Sequence, residues 1–246
     1  MDPRDRFSAT VDDYVRYRPD YPDAFFDWLR DAHGLAPKSR ILEVGCGTGI
    51  ATRQLMERGY DVVATDPNEA MLTAARKHGG TFVCADAETL DVQGEFSLVV
   101  GGQAFHWFDL ARALPRFAEL APRAVAFWNL RDDHHPSMAA YDALLRKRCS
   151  EYASVGAEPR ARAVQAQVAA ADLKVARFPH AQALSLDAFR GRVWSSSYVR
   201  HSVEDPDRFN AELDRLFETH AEDGVFRMRY QTRALSFALT DWAKDP

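Results

Sequence analysis

Residues 41–50 read ILEVGCGTGI, an apolar run that breaks into glycines at Gly45, Gly47 and Gly49 before the helical stretch ATRQLMERGY. A strand that ends in a glycine-rich turn and feeds a helix lets the backbone approach a ligand, which is the opening unit of an α/β sheet that binds at its carboxyl edge. The dinucleotide fingerprint G-x-G-x-x-G needs a third glycine where this chain has Ile50. The spacing here is Glu43-x-Gly45-x-Gly47-x-Gly49, with an acid at the strand's end. A carboxylate in that place repels a pyrophosphate and suits a cationic group.

On either side of this stretch, short β-branched runs alternate with helical patterns, as in a mostly parallel sheet covered on both faces. Strands are expected over 40–44, 61–65, 81–85, 97–101 and 124–128, and helices over 51–58, 69–77 and 110–120. Beyond Asn129 the texture changes. Residues 137–155 and 157–171 are rich in Ala, Leu and Arg and read as helical, 174–184 as a strand, 186–221 as mostly helical and 227–239 as a last strand. One domain is expected over 1–246, with N-terminal cap helices in 1–36, a cofactor-binding core over 38–130 and helical lid segments over 131–171 and 184–226.

The composition fits one large α/β domain: 246 residues, 46% hydrophobic and 27% charged. A formal net charge of -5 gives no overall pull toward nucleic acid or an anionic membrane. Three cysteines, Cys46, Cys84 and Cys149, argue against a disulfide framework, and their spacing matches no metal site. No signal-like segment and no run of membrane-spanning length is visible, so a cytoplasmic protein is expected, acting on a small molecule with no nucleic-acid or membrane partner. Oligomeric state is not readable.

Three acids fall at three successive strand ends. Glu43 ends the first, Asp66 ends the second in VVATDPN, where an acid accepts hydrogen bonds from ribose hydroxyls, and Asp86 follows the third in CADAETL. Together they favour a positively charged nucleoside. In order, ILEVGCGTG, ATDPNEAMLTAAR, CADAETL and QAFHWFD resemble the successive motifs of the class I S-adenosylmethionine-dependent methyltransferases. YVRYRPDYP and VWSSSYV are similar to the small-molecule branch that includes trans-aconitate-type enzymes. The resemblance implies a Rossmann-like, seven-stranded, mostly parallel sheet with the last strand antiparallel, helices on both faces and S-adenosyl-L-methionine across the carboxyl ends of the first strands. It further implies that Glu43, Gly45 and Gly47 meet the methionine end, that Asp66 holds the ribose between Pro67 and Met71, and that Asp86 and Ala87 address the adenine. Gln103 would face the reaction centre, Arg18 the cofactor carboxylate, and Tyr14 and Tyr17 the sulfonium side. LAPRAV departs from the family in lacking a glycine pair.

Methyl transfer from a sulfonium needs alignment and dry surroundings more than a dedicated base. His106 is the candidate proton acceptor, since it titrates near neutrality and follows the fourth strand. It sits among Phe105, Trp107 and Phe108, so an aromatic wall is the competing role. The acceptor is expected to contact Tyr17, Trp107, Arg131, His135, Trp194 and Tyr198, with Ser195, Arg200 and His201 as further inward candidates. Arginines and histidines there suit a carboxylate, and a carboxylate or hydroxyl oxygen is the expected methyl acceptor. No metal site is expected from Asp132, Asp133, His134 and His135. An NAD-dependent oxidoreductase and a non-catalytic S-adenosylmethionine-binding protein remain as alternatives.

Overall fold

The computed structural model describes residues 16–152, 157–168 and 172–242. Parallel strands come first: β1 (Arg40–Val44), β2 (Asp61–Asp66), β3 (Thr81–Cys84), β4 (Leu98–Gly102) and β5 (Arg123–Arg131). With β6 (Lys174–Leu184) and β7 (Phe226–Ala238) they make a seven-stranded sheet of order β3-β2-β1-β4-β5-β7-β6, in which β7 alone runs antiparallel. This is the Rossmann-like class I methyltransferase fold. Strand order reverses between β1 and β4, and the crevice at that switch point is where such sheets bind ligands.

Period-two alternation sends successive side chains to opposite faces. Leu42 and Val44 of β1, with Ala124, Ala126, Trp128 and Leu130 of β5, face one core, which α4 (Leu110–Ala118) and α6 (Ala157–Gln167) cover. Ile41, Val125 and Phe127 face the other, covered by α1 (Asp23–His33), α2 (Ile50–Glu57) and α3 (Glu69–Ala75). α3 starts where Asn68 accepts the backbone N–H groups of Ala70 and Met71 as its N-cap. β5 was expected to stop at Trp128. It continues to Arg131 because β7 pairs with it along its whole length, a non-local cause.

The stretch 186–221 divides into α7 (Leu186–Trp194), α8 (Ser197–Ser202) and α9 (Pro206–His220). Together with α5 (Pro136–Arg148) they enclose a third core of Tyr141, Phe189, Val193, Phe209, Phe226 and Tyr230 over the ends of β6 and β7. The expected lid therefore carries its own apolar centre. α6 stands apart from it, with Ala161, Val164 and Val168 packed on the main sheet.

Candidate functional site

Two cavities adjoin at the carboxyl ends of β1 and β4. The smaller, about 300 Å³, is lined by Glu43, Gly45, Gly47, Asp66, Pro67, Met71, Asp86, Ala87 and Gln103, nine residues singled out from the sequence. The larger, about 730 Å³, lies under α5, α6 and α8. Tyr21, Ile50, Gln103 and Trp107 line both, so they frame the passage between them.

Gly45 and Gly47 serve different ends. At Gly45, with φ +72°, a Cβ would stand 2.6 Å from the Ala104 Cβ, so the bare backbone lets the loop after β4 close on β1. Gly47, with φ +56°, has nothing near the position of a Cβ and opens on the smaller cavity. Its N–H donates to Asp66 Oδ2 at 2.8 Å, while Asn68 N–H donates to Oδ1 at 2.9 Å. Burial raises the Asp66 carboxyl above its usual range against the pull of these two donors. Glu43 is 2% exposed and accepts from Thr52 Oγ1 at 2.6 Å. Burial pushes its carboxyl up to about 8; the Thr52 hydrogen bond opposes this and nearby Asp66 adds to it. Thr52, one turn into α2, was not foreseen, because its role depends on how α2 rests on β1.

Gln103 holds φ +58°, a strained value for a residue with a side chain. Its N–H bonds Phe127 O at 2.8 Å and its Nε2–H bonds Asn129 O at 3.3 Å, which fixes it between β4 and β5. Arg18 lies on the larger cavity and donates to Ser195 O at 3.1 Å, away from the smaller one. Tyr14 lies outside the described residues.

Several acceptor-side expectations are corrected by packing. Tyr17 is stacked on Gly191, whose absent side chain makes room for it, and lines neither cavity. Trp194 turns into the third core, donating to Asn210 Oδ1 at 2.8 Å and meeting Phe209 edge-on. His135 caps α5 through Ser137, and its neighbour His134 borders the cavity instead. Ser195, Arg200 and His201 are likewise absent from the lining, and Arg200 donates to Trp194 O. Trp107, Arg131 and Tyr198 do line it.

Arg131 donates to Tyr198 Oη at 3.1 Å and lies over the rings of Tyr141 and Tyr152 at 5.3 and 5.1 Å. Arg192, 7% exposed, donates to Tyr230 Oη at 3.0 Å. Among the described residues neither arginine forms an ion pair. Arg192 carried no sequence signal; only its burial distinguishes it from surface arginines. His106 Nδ1 receives a hydrogen bond from Trp128 Nε1 at 3.2 Å, and Arg160 approaches its Nε2 at 3.3 Å. Burial, and then the charge of Arg160, push its pKa down to about 3. A ring so occupied and so weakly basic is a poor proton acceptor. At the cavity mouth Asp132, Asp133 and His134 bring ligand atoms within 4.8 Å of one another, but the latter two are exposed and nothing else there points to an ion.

No described helix is long and apolar enough to cross a membrane. Residues 41–122 match the family model of a methyltransferase domain. An uncharacterized methyltransferase of Schizosaccharomyces pombe is 29% identical over 221 residues, covering 87% of each chain. An uncharacterized methyltransferase of Mycobacterium tuberculosis is 40% identical over 133 residues, 52% of this chain and 53% of that one, so this match spans about half of each. Among solved structures, a protein assigned as a type II methyltransferase from Anaeromyxobacter dehalogenans aligns with a TM-score of 0.66 at 24% identity, over 91% of this chain and 98% of that one. A Haemonchus contortus phosphoethanolamine N-methyltransferase bound to S-adenosyl-L-methionine aligns with a TM-score of 0.51 at 14% identity, over 94% and 57%.

Proposed function

We propose that this chain is a class I S-adenosylmethionine-dependent methyltransferase that methylates an oxygen of an anionic small molecule held in the larger cavity, a reading supported by the match to a methyltransferase-domain model and by the methyltransferase relatives. The smaller cavity fits the cofactor by its donor set. Two acids at adjacent strand ends and an open glycine turn suit a ribose and a cationic methionine end, and Ile50 in place of a glycine disfavours a pyrophosphate. When bound there, S-adenosylmethionine supplies a methyl group on a sulfonium. Asp66 would hold the ribose hydroxyls, Glu43 the ammonium side, and Asp86 and Ala87 the adenine.

The observation that carries the acceptor's charge is the pair Arg131 and Arg192. Both guanidiniums remain charged, Arg192 is buried and Arg131 half-buried, and their hydrogen-bond partners are phenols and a serine hydroxyl rather than carboxylates. Desolvated cations that donate no hydrogen bond to a carboxylate are costly, and a carboxylate entering the cavity would offset that cost with charge-assisted hydrogen bonds. The chain's own part in the reaction is then to orient a carboxylate oxygen toward the passage framed by Tyr21, Ile50, Gln103 and Trp107 and to exclude water there. An ionised carboxylate needs no base.

Calorimetric titration with S-adenosylhomocysteine and, separately, NADH tests the cofactor assignment, and methyl release across dicarboxylates, phenols and amines tests the acceptor. Binding of the first ligand and turnover with a dicarboxylate are expected. Binding of NADH alone, or turnover restricted to amines, would overturn the reading.

A further inference from the structure

The contacts of His106 contain a contradiction that only its protonation state resolves. A neutral imidazole has one lone pair and one N–H. Its two ring nitrogens face Trp128 Nε1 and an Arg160 guanidinium nitrogen, and indole and guanidinium are both donors only. One of the two contacts is therefore donor against donor.

Which one is decided by burial. Trp128 is wholly buried in β5, and leaving its N–H unpaired costs about 1–3 kcal/mol. Arg160 borders the cavity and offers several N–H groups, so an acceptor at Nε2 matters less to it than the one at Nδ1 does to Trp128. The lone pair of His106 thus lies on Nδ1, toward Trp128, and the proton on Nε2. The imidazolium is excluded near neutrality by burial and by the Arg160 charge, as already noted. Two donors then stand side by side, 3.3 Å apart, on residues that both line the larger cavity. His106 precedes Trp107 of the passage on the same short turn, and the Arg160 guanidinium lies over the Trp107 ring at 4.9 Å.

We propose that His106 is a hydrogen-bond donor rather than a base, and that its Nε2–H and Arg160 form a two-donor hole that grips one oxygen of the acceptor beside the passage to the cofactor. This rests on the methyltransferase reading above and gives that site a positioning pair. Trp128 acts through His106, setting the tautomer. The opposite tautomer would place a lone pair on Nε2, bond it to Arg160 and abolish the hole.

Ring-nitrogen NMR correlations on protein with isotope-labelled histidine read the tautomer directly, without any substrate. The expected result near neutral pH is neutral His106 protonated on Nε2. Adding acetate or succinate to the complex with S-adenosylhomocysteine should then move the Nε2–H resonance downfield. In Trp128→Phe the proton should shift to Nδ1 and the response to these anions should vanish, with S-adenosylhomocysteine affinity retained as evidence of folding. His106→Ala should raise the acceptor KM roughly tenfold, the loss of a charge-assisted site, with no change in the acid limb of the pH–rate profile. A wild-type Nδ1–H tautomer, an imidazolium near neutrality, or an Nε2–H resonance indifferent to both anions would each overturn the proposal. Failure to bind S-adenosylhomocysteine would instead sink the methyltransferase reading and leave the tautomer result standing.

Discussion

The carboxylate of Asp66 is held by two backbone N–H groups, one from the glycine turn after β1 and one from the cap of α3. Its oxygens are therefore aimed by the fold, and their remaining lone pairs are directed at whatever fills the smaller cavity. Asp66→Ala should weaken S-adenosylhomocysteine binding by about 1–3 kcal/mol, the cost of leaving buried partners unpaired. Calorimetry measures it, and unchanged affinity would remove Asp66 from the ribose role. Such strand-end acids are legible in sequence because the strand pattern places them at one edge. Trp194 and Tyr17 are different. Each occupies a motif that reads as inward-facing, yet whether an aromatic ring turns into a cavity or into a core depends on its neighbours: here Phe209 and Asn210 claim one, and Gly191 the other.

At the scale of elements, α5, α7, α8 and α9 are joined to the sheet through the projecting ends of β6 and β7 and to one another through their own apolar centre. The lining of the smaller cavity shares no residue with that centre. Phe189, fully buried and 4.4 Å from Phe226 between ring centroids, lies near its middle. Phe189→Ala should destabilise this layer by about 3–5 kcal/mol. Hydrogen exchange should rise over 184–226 while S-adenosylhomocysteine affinity stays unchanged, since Phe189 packs in the third core and does not line the smaller cavity. Exchange that rises uniformly over β1–β4 would mean that the two cores open together. The alternation of strands and helices through residue 130 was readable because each local period matched its final environment. The later helices were readable only as helical. Their ends and packing direction were not, because the apolar positions of α5 do not form a single stripe and its partners are remote in sequence.

For the whole molecule, the buried titratable groups impose opposite dependences on pH. Burial pushes His33, His106 and His180 down to about 4, 3 and 4. The unfolded chain takes up protons below the usual histidine value of 6.5 that the native one refuses, so this stability is present above it and is lost as pH falls toward 4 and 3. Glu43 acts in the other sense. Native Glu43 keeps its proton up to about 8 while the unfolded side chain loses it above 4.5, so stability falls as pH rises through that window. Three histidines outweigh Glu43 and the likewise raised Asp66 on the acid side, and between 6.5 and about 8 the titration of Glu43 dominates. Ligand-free stability should therefore peak near the histidine value. The alkaline slope should reach about 1.4 kcal/mol per pH unit for fully buried Glu43; the acid slope per group is smaller for His33 and His180, which solvent partly screens. Denaturant melts across pH check this, and Glu43→Gln should flatten the alkaline limb. A limb that survives the substitution would show that another group produces it.

By itself the sequence determined the layered α/β architecture, the edge where the cavities open and most of the lining of the smaller cavity, because strand period, glycine turns and caps act over a few residues and say where each strand stops. Tertiary structure alone decided the larger cavity. Arg192 became a buried cation and Arg131 a half-buried one, and Trp128 came to set the proton on His106, through contacts between segments 22 to 67 positions apart. No local pattern encodes such contacts, since they arise only when β5, β7 and the later helices are packed together.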